Sequence, residues 1–252
     1  MRFGPIPLKD AEGAILAHSV ALSDGRLRKG CTLGPVEIAR LCASGRAEVI
    51  AARLAHAFAG ELDFRGDPSR PPTPEASFLD RVVETRRGLP ILLSVVWILL
   101  GRRLGVPVAG INYPGHFLVC LDAPGARIFL DPFRGGVVRD AGELLARLGP
   151  QSPDRKLLEP CGVRPIVTRI LVNLKNLWVD RNDYANALAA VDRILLVGGE
   201  VPTELRDRGL ICLHLERPTE AGRDFRRYLK VRPDAEDRPV IEALLQRIEA
   251  SA

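Results

Sequence analysis

The sequence predicts an α+β protein. Three observations predict this class: a long apolar helical pattern, three short β-rich runs directly after it, and a helical C-terminal stretch with an internal repeat. The chain has 252 residues, of which 46% are hydrophobic, so it can fill the core of one large or two ordinary domains. We therefore expect a folded globular protein.

Changes in pattern along the sequence divide it into four parts. Residues 1–57 form a small N-terminal unit, and a polar stretch with four prolines follows between Gly60 and Pro74. Residues 58–150 form the α+β core, residues 151–163 a linker, and residues 164–252 the helical repeats. Each boundary is an expectation from sequence alone.

Two helices open the core. Phe78, Leu79, Val82 and Val83 have the spacing of one face of an amphipathic helix, which Arg86-Arg87-Gly88 closes. The second helix is apolar and runs from Pro90 to Leu104, and a proline at the first helical position costs it no hydrogen bond.

The sheet is predicted from three runs rich in β-forming residues. They are Val108–Ile111, His116–Leu121 and Arg127–Leu130, and turns containing Pro-Gly or Ala-Pro-Gly separate them. Such short connections favour antiparallel pairing, so a helix feeds an antiparallel sheet.

The last ninety residues repeat with a period of 34. A shift of 34 residues superposes small or apolar residues on one another, including Leu171 on Leu205, Leu177 on Ile211, Val179 on Leu213, Ala187 on Ala221, Val191 on Phe225 and Leu195 on Leu229. A 34-residue period of two helices is the tetratricopeptide signature. Because two repeats are fewer than an independent solenoid needs, we expect the pair to pack on a neighbour, with the Ile241–Ile248 helix as a cap.

Composition excludes several functional classes. The net charge is only +5, aromatic residues make up 5%, and the segment from Arg164 onward carries 15 basic and 14 acidic residues, which disfavours nucleic-acid binding. The longest apolar stretch, Leu89–Gly101, is shorter than the roughly 20 residues of a membrane span, and the N-terminus lacks an apolar signal segment. We expect a cytoplasmic protein that contacts neither membrane nor nucleic acid.

Cofactor and metal signals are weak throughout the sequence. The five cysteines form no CxxC pair, which disfavours a disulfide framework and a zinc cage. His18, His56 and His214 have no second ligand at metal spacing, and no P-loop, GxGxxG or GxSxG motif occurs. We expect no cofactor and no metal.

The block from Ser77 to Gly136 resembles the transglutaminase-like superfamily, whose core is papain-like. The segments that carry the resemblance are SFLDRVVETRRGLPILLS, RRLGVPVAGINYPGHFLV and FLDPFRGG. Together with the repeats, they resemble the bacterial SirB-type proteins, which join such a core to tetratricopeptide repeats. The resemblance implies a thiolate nucleophile at a helix N-terminus, a histidine base and an orienting carboxylate.

This protein departs from that triad at one position. The resemblance assigns the base to His116 and the orienting acid to Asp131, but the nucleophile position falls on Pro90, which has no nucleophilic atom. The remaining pair has either a catalytic role or a structural role. In the structural alternative, His116 is a buried polar residue that is hydrogen-bonded to Asp131.

Other nucleophiles fit poorly. Cys120 on a straight strand has its Cα roughly 13 Å from that of His116, which is too far for a hydrogen bond. Ser94 lies one turn inside the helix, where its hydroxyl is expected to bond the carbonyl of Pro90. Cys31, Cys42 and Cys161 lie outside the matched block.

Residues 1–53 resemble a different group. The runs FGPIPLKDAEGAILAHSV and LRKGCTLGPVEIARLCASGRAEVIAARL are loosely similar to the N-terminal segment of molybdopterin-binding and molybdenum-cofactor cytidylyltransferase-type proteins. The alternative is a helical cap on the core, specific to the family.

We interpret the sequence as that of a non-catalytic protein that binds a protein or peptide through its degenerate cleft and its repeats, in a regulatory or accessory role. One alternative is an amide- or peptide-bond hydrolase or transferase that uses His116 and Asp131 with a displaced nucleophile or an activated water. The other is an accessory protein of the molybdenum cofactor.

Overall fold

The computed structural model forms two compact units. The first comprises residues 1–71 and 75–162, and the second comprises residues 72–74 and 163–252. The structure describes residues 20–22, 25–27, 36, 40, 56–68, 72–103, 106–123, 126–148, 155–199 and 201–250. The mixed α and β content predicted from sequence is confirmed, whereas the four domain boundaries stay predictions.

In its described residues, the first unit contains a small hairpin, three α-helices and a sheet. Strands β1 (Val20–Leu22) and β2 (Gly25–Leu27) pair antiparallel. The helices are α1 (Leu79–Thr85), α2 (Pro90–Arg103) and α3 (Ala141–Arg147). The prediction of an antiparallel sheet after a long helix is confirmed.

The sheet is a four-stranded antiparallel meander. Its strands lie in the order β3 (Val108–Ile111), β4 (Leu118–Ala123), β5 (Ala126–Asp131) and β6 (Val137–Arg139). Side chains alternate along β4: Leu118 and Cys120 pack in a cluster with Leu144 of α3. The residues between them face the opposite side, and α2 contacts both β3 and β4. Strand β4 is therefore covered on both faces.

Helix α2 begins at Pro90, as predicted. The predicted bond is also present, because Ser94 Oγ donates to the carbonyl oxygen of Pro90 at 2.8 Å. Trp97 is almost completely buried, and its ring stacks on that of Phe58 with centroids 4.7 Å apart. The helix is apolar on most of its surface because it is a core helix. It ends at Arg103, while Leu104 and Gly105 lie outside the described residues.

The prediction that four residues form the buried face of α1 is wrong for three of them. Only Val82 is buried, while Phe78, Leu79 and Val83 are exposed. The helix end also differs, because Arg86 and not Gly88 adopts the left-handed conformation, with φ of 58°. Gly88 has a packing role, since a Cβ there would overlap the side chain of Val82.

The second unit is entirely helical in its described part. Its helices are α4 (Val163–Val179), α5 (Tyr184–Gly198), α6 (Pro202–His214), α7 (Pro218–Val231) and α8 (Arg238–Ala250). Positions related by the 34-residue shift are buried alike, because Ala187, Ala221, Val191 and Phe225 are all fully buried. Helix α8 packs on α7 through Ile241, as the predicted cap requires.

A buried ion-pair cluster joins α4 to α6, and the sequence pattern gave no sign of it. The Lys175 ammonium lies 2.8 Å from a Glu204 carboxylate oxygen and 2.5 Å from one of Asp207. The side chains of Lys175 and Glu204 are only 5% and 9% exposed. Each charge thus depends on its partner, because an unpaired buried ion is costly.

Among the described residues, we find no helix long and apolar enough to cross a membrane. The same residues include no group of three or more His, Cys, Asp or Glu side chains arranged to hold a metal ion.

Candidate functional site

The structure brings His116 and Asp131 together. Nε2 of His116 lies 2.9 Å from Oδ1 of Asp131. Asp131 is the last residue of β5, as expected, but His116 precedes β4 by two residues and lies in the turn that contains Gly115. The prediction that His116 lies on a strand is therefore wrong. Its backbone N–H bonds to the carbonyl of Tyr113, which keeps the residue in the turn.

Asp131 is a buried carboxylate that two groups contact through hydrogen bonds. Its side chain is 4% exposed. Besides His116, it accepts a hydrogen bond from the backbone N–H of Arg134 at 3.3 Å and thereby caps the short 3₁₀ turn Pro132–Arg134. In the tautomer that carries its proton on Nε2, the imidazole donates this N–H to the carboxylate oxygen. In this tautomer Nδ1 of His116 is the acceptor nitrogen of the ring, and His116 also lines an open space.

That space is a cavity of about 620 Å³. Its lining residues are Ala59, Arg65, Gly66, Pro68, His116, Phe133, Arg134 and Gly135. The Phe133 ring meets the His116 ring edge-on, with centroids 6.1 Å apart. Gly66 donates its backbone N–H to the carbonyl of Phe133 at 2.8 Å. The lining residues thus come from three separate segments, which are residues 59–68, His116 and residues 133–135.

A set of contacts connects this cavity to the segment before α2. Nη2 of Arg87 lies 2.7 Å from Oδ2 of Asp63, and Nε of Arg65 lies 3.0 Å from Oδ1 of the same carboxylate. The hydrogen bond from Arg87 holds the pKa of Asp63 below its ordinary value. Helix α2 also contacts the Pro132–Arg134 turn. Pro90 itself is not among the described residues that line the cavity, so the assignment of the nucleophile position to Pro90 stays a prediction.

The described cysteines lack the features of an activated thiol. Cys120 is completely buried, and burial raises its thiol pKa to about 12. Burial also raises the pKa of the half-buried Cys161, and it raises that of Cys212 in the second unit to about 11. A nucleophilic cysteine needs the opposite shift. Cys31 and Cys42 lie outside the described residues.

The isolated histidines form no further site in the described part of the sequence. His214 stacks on Tyr184 with ring centroids 4.1 Å apart, whereas His18 and the side chain of His56 lie outside it. Sequence reasoning missed Arg65, Gly66, Phe133 and Arg134. Phe133 and Arg134 belong to the FLDPFRGG segment, in which only the aspartate was singled out.

Family models match most of the sequence. The model described as "Transglutaminase-like superfamily" matches residues 36–172, which is more than half of the chain. The chain belongs to this superfamily. A tetratricopeptide repeat model matches residues 174–246, so both resemblances predicted from the sequence are confirmed. Residues 5–53 match a domain of unknown function (DUF8806), and the molybdenum-cofactor resemblance stays a prediction.

Curated relatives place this superfamily member among bacterial proteins of the SirB type. A UPF0162 protein of Xylella fastidiosa (strain 9a5c) is 39% identical over 69% of this chain and 64% of its own length. A UPF0162 protein of Vibrio cholerae is 31% identical over 77% of this chain and 72% of its own. Protein SirB1 of Salmonella typhimurium is 24% identical over 78% of this chain and 75% of its own. The match thus spans slightly less than two thirds of the Xylella relative, and no solved structure matches the protein.

Proposed function

We propose that this protein is a non-catalytic transglutaminase-like protein that binds a protein or peptide through its cavity and its repeats. The carrying observation is that α2 begins with Pro90, at the position where the resemblance places the nucleophile, while the His116–Asp131 pair next to the cavity is intact. A proline cannot form the thioester of a transglutaminase-like reaction. The pair then serves to hold the cavity wall.

The thiols support the same proposal. The cysteine thiols that the structure describes are buried or half-buried, and their pKa values are raised. We therefore infer that none of them replaces the missing nucleophile. Tetratricopeptide repeats commonly bind proteins on the concave side of their helices, and the near-neutral charge balance of this segment suits a peptide. We place the protein in the cytoplasm, because its cysteines are not arranged as a disulfide framework.

The alternative function is hydrolysis of an amide or peptide bond by an activated water. The observation that favours it is the Nε2–Asp131 bond, which leaves Nδ1 of His116 available as a base next to the cavity. Asp131→Asn separates the two functions. It would lower turnover strongly in a hydrolase and would leave capture of a partner by a properly folded variant largely unchanged.

The test of binding uses a photo-crosslinking amino acid at position 68, an exposed residue on the cavity wall, introduced into the full chain in its native host. The matched control carries the same group at position 81, an exposed arginine on α1 of the same unit. We expect one partner to be crosslinked from position 68 and not from position 81. Equal crosslinking from both positions, or hydrolysis of glutamine peptides by the purified protein, would contradict the proposal.

A further inference from the structure

We propose that the cavity beside His116 binds a carboxylate of a peptide segment, with Arg65 and Arg134 supplying charge and Nδ1 of His116 facing the bound group. The inference rests on the proposed function, because it names the chemistry that the cavity would recognise in a partner. The carboxylate belongs either to the C-terminus of the peptide or to an acidic side chain, and both present the same two oxygens.

The charge of the lining carries the argument. Among the described residues that line the cavity, two are arginines, one is a histidine and none is acidic. Two carboxylates behind this lining are already engaged. Asp131 is buried and bonded to His116, and Asp63 is shared between Arg65 and Arg87, so two guanidinium groups face one carboxylate. Asp67 lies between the lining residues Gly66 and Pro68 in the sequence but is not itself a lining residue. The lining itself therefore carries two guanidinium groups and no carboxylate.

The two arginines have side chains able to meet a ligand. The side chains of Arg65 and Arg134 are 57% and 60% exposed. Nε of Arg134 lies 3.9 Å from Asp131, which is longer than a charge-assisted hydrogen bond of about 2.7 to 2.9 Å, so this pair is weak. Guanidinium groups bind carboxylates through two parallel hydrogen bonds, which gives such a site its specificity.

The remaining walls favour a peptide over a small inorganic anion. Ala59, Pro68 and Phe133 give the cavity an apolar surface, and its volume of about 620 Å³ lies within the range of roughly 300 to 1,000 Å³ found for ligand pockets. A phosphate ion would leave these apolar walls uncovered. A peptide with an apolar side chain on or beside the residue that carries the carboxylate covers these walls. Burial of the apolar surfaces then adds to the binding free energy.

The test titrates the isotope-labelled full-length protein with four probes and follows the backbone amides of Gly66 and Gly135 by NMR. The probes are N-acetyl-Gly-Leu with a free carboxylate, its C-terminal amide, N-acetyl-Glu-Leu amide and inorganic phosphate. We expect saturable shifts with one or both carboxylate probes and at least about tenfold weaker binding of the neutral amide. The first and third probes distinguish a C-terminus from a side chain.

Variants locate the binding. Arg65→Gln and Arg134→Gln should each weaken the binding of the carboxylate probe by about threefold to tenfold, because each substitution removes one charged donor. Arg81→Gln, which removes an exposed arginine of the same unit, should change nothing. Equal affinity of the acid and the amide, binding of phosphate alone, or no saturable shift with any probe would overturn the inference. None of these results would indicate catalytic activity, so none of them would contradict the non-catalytic role that we propose. Conversely, turnover of a glutamine peptide would defeat the proposed function while the affinity for carboxylates remained measurable.

Discussion

Gly66 and Phe133 lie in direct contact across the cavity wall. The backbone N–H of Gly66 bonds to the carbonyl of Phe133, and a Cβ at position 66 would overlap the Phe133 ring. Phe133 in turn meets the ring of His116. The orientation of the histidine thus depends on a glycine 50 residues earlier in the sequence.

Gly66→Ala should displace the Phe133 ring and destabilise the protein by about 1 to 3 kcal/mol, as overpacking of a tight contact does. The measurement is urea unfolding. Gly162→Ala is the matched control, because a Cβ there meets no atom within 4 Å. Equal stability of the two variants would show that the contact is loose.

Asp131→Ala should lower the free energy of unfolding by about 1 to 3 kcal/mol, because it leaves the imidazole of His116 and the N–H of Arg134 without their acceptor. Asp131→Asn keeps an acceptor oxygen and should lose less. Thermal melts of Asp131→Ala that superimpose on those of the unmodified protein would contradict a structural role for the pair.

Lys175→Met should be strongly destabilising, by about 3 to 5 kcal/mol, because it strands the buried carboxylate of Glu204. Arg226→Met breaks an exposed pair with Glu249, whose side chains are 58% and 56% exposed, and should cost at most about 1 kcal/mol. The double variant Lys175→Met, Glu204→Gln should recover part of the loss. Chemical denaturation of all three variants checks the order, and a small loss for Lys175→Met would mean that water reaches Glu204.

Pro90→Cys tests the predicted position of the lost nucleophile. A thiol at the first position of α2, with His116 nearby, should have a lowered pKa and react with iodoacetamide at mildly acidic pH. Leu99→Cys, an exposed site farther along the same helix, is the control, and His116→Ala should slow only the thiol at position 90. Mass spectrometry of the labelled peptides gives the rates.

This experiment also examines the expected spacing, in which the Cα atoms of Pro90 and His116 lie within about 12 Å, as facing elements packed about 10 Å apart allow. Identical pH profiles for the thiols at positions 90 and 99 would place Pro90 away from the histidine. The assignment of the nucleophile position would then be wrong.

Local signals explain which parts of the structure could be predicted. The start of α2 and the bond from Ser94 to Pro90 follow from residues within one helical turn. The strand expected from His116 begins at Leu118 instead. The bond from the His116 N–H to the Tyr113 carbonyl extends the turn, and a pattern of apolar residues does not show such a bond.

The site depends on contacts that sequence patterns do not contain. Gly66 and Phe133 come from different segments, and only the folded protein shows that they touch. Lys175 and Glu204 are charged residues within helices, and such residues usually lie at the surface. Their separation of 29 residues has no helical period that would have revealed the pair.

The stacking of Trp97 on Phe58 supplies an optical reporter of the cavity wall. Phe58 precedes the lining residue Ala59, and the sequence has only one other tryptophan, Trp178, in the second unit. In a Trp178→Phe variant, the fluorescence would come from Trp97 alone. Its emission should be blue-shifted while Phe58 remains stacked on it and should move to longer wavelengths when that segment separates and water reaches the indole. Ligand titrations and unfolding of this wall could then be followed in real time.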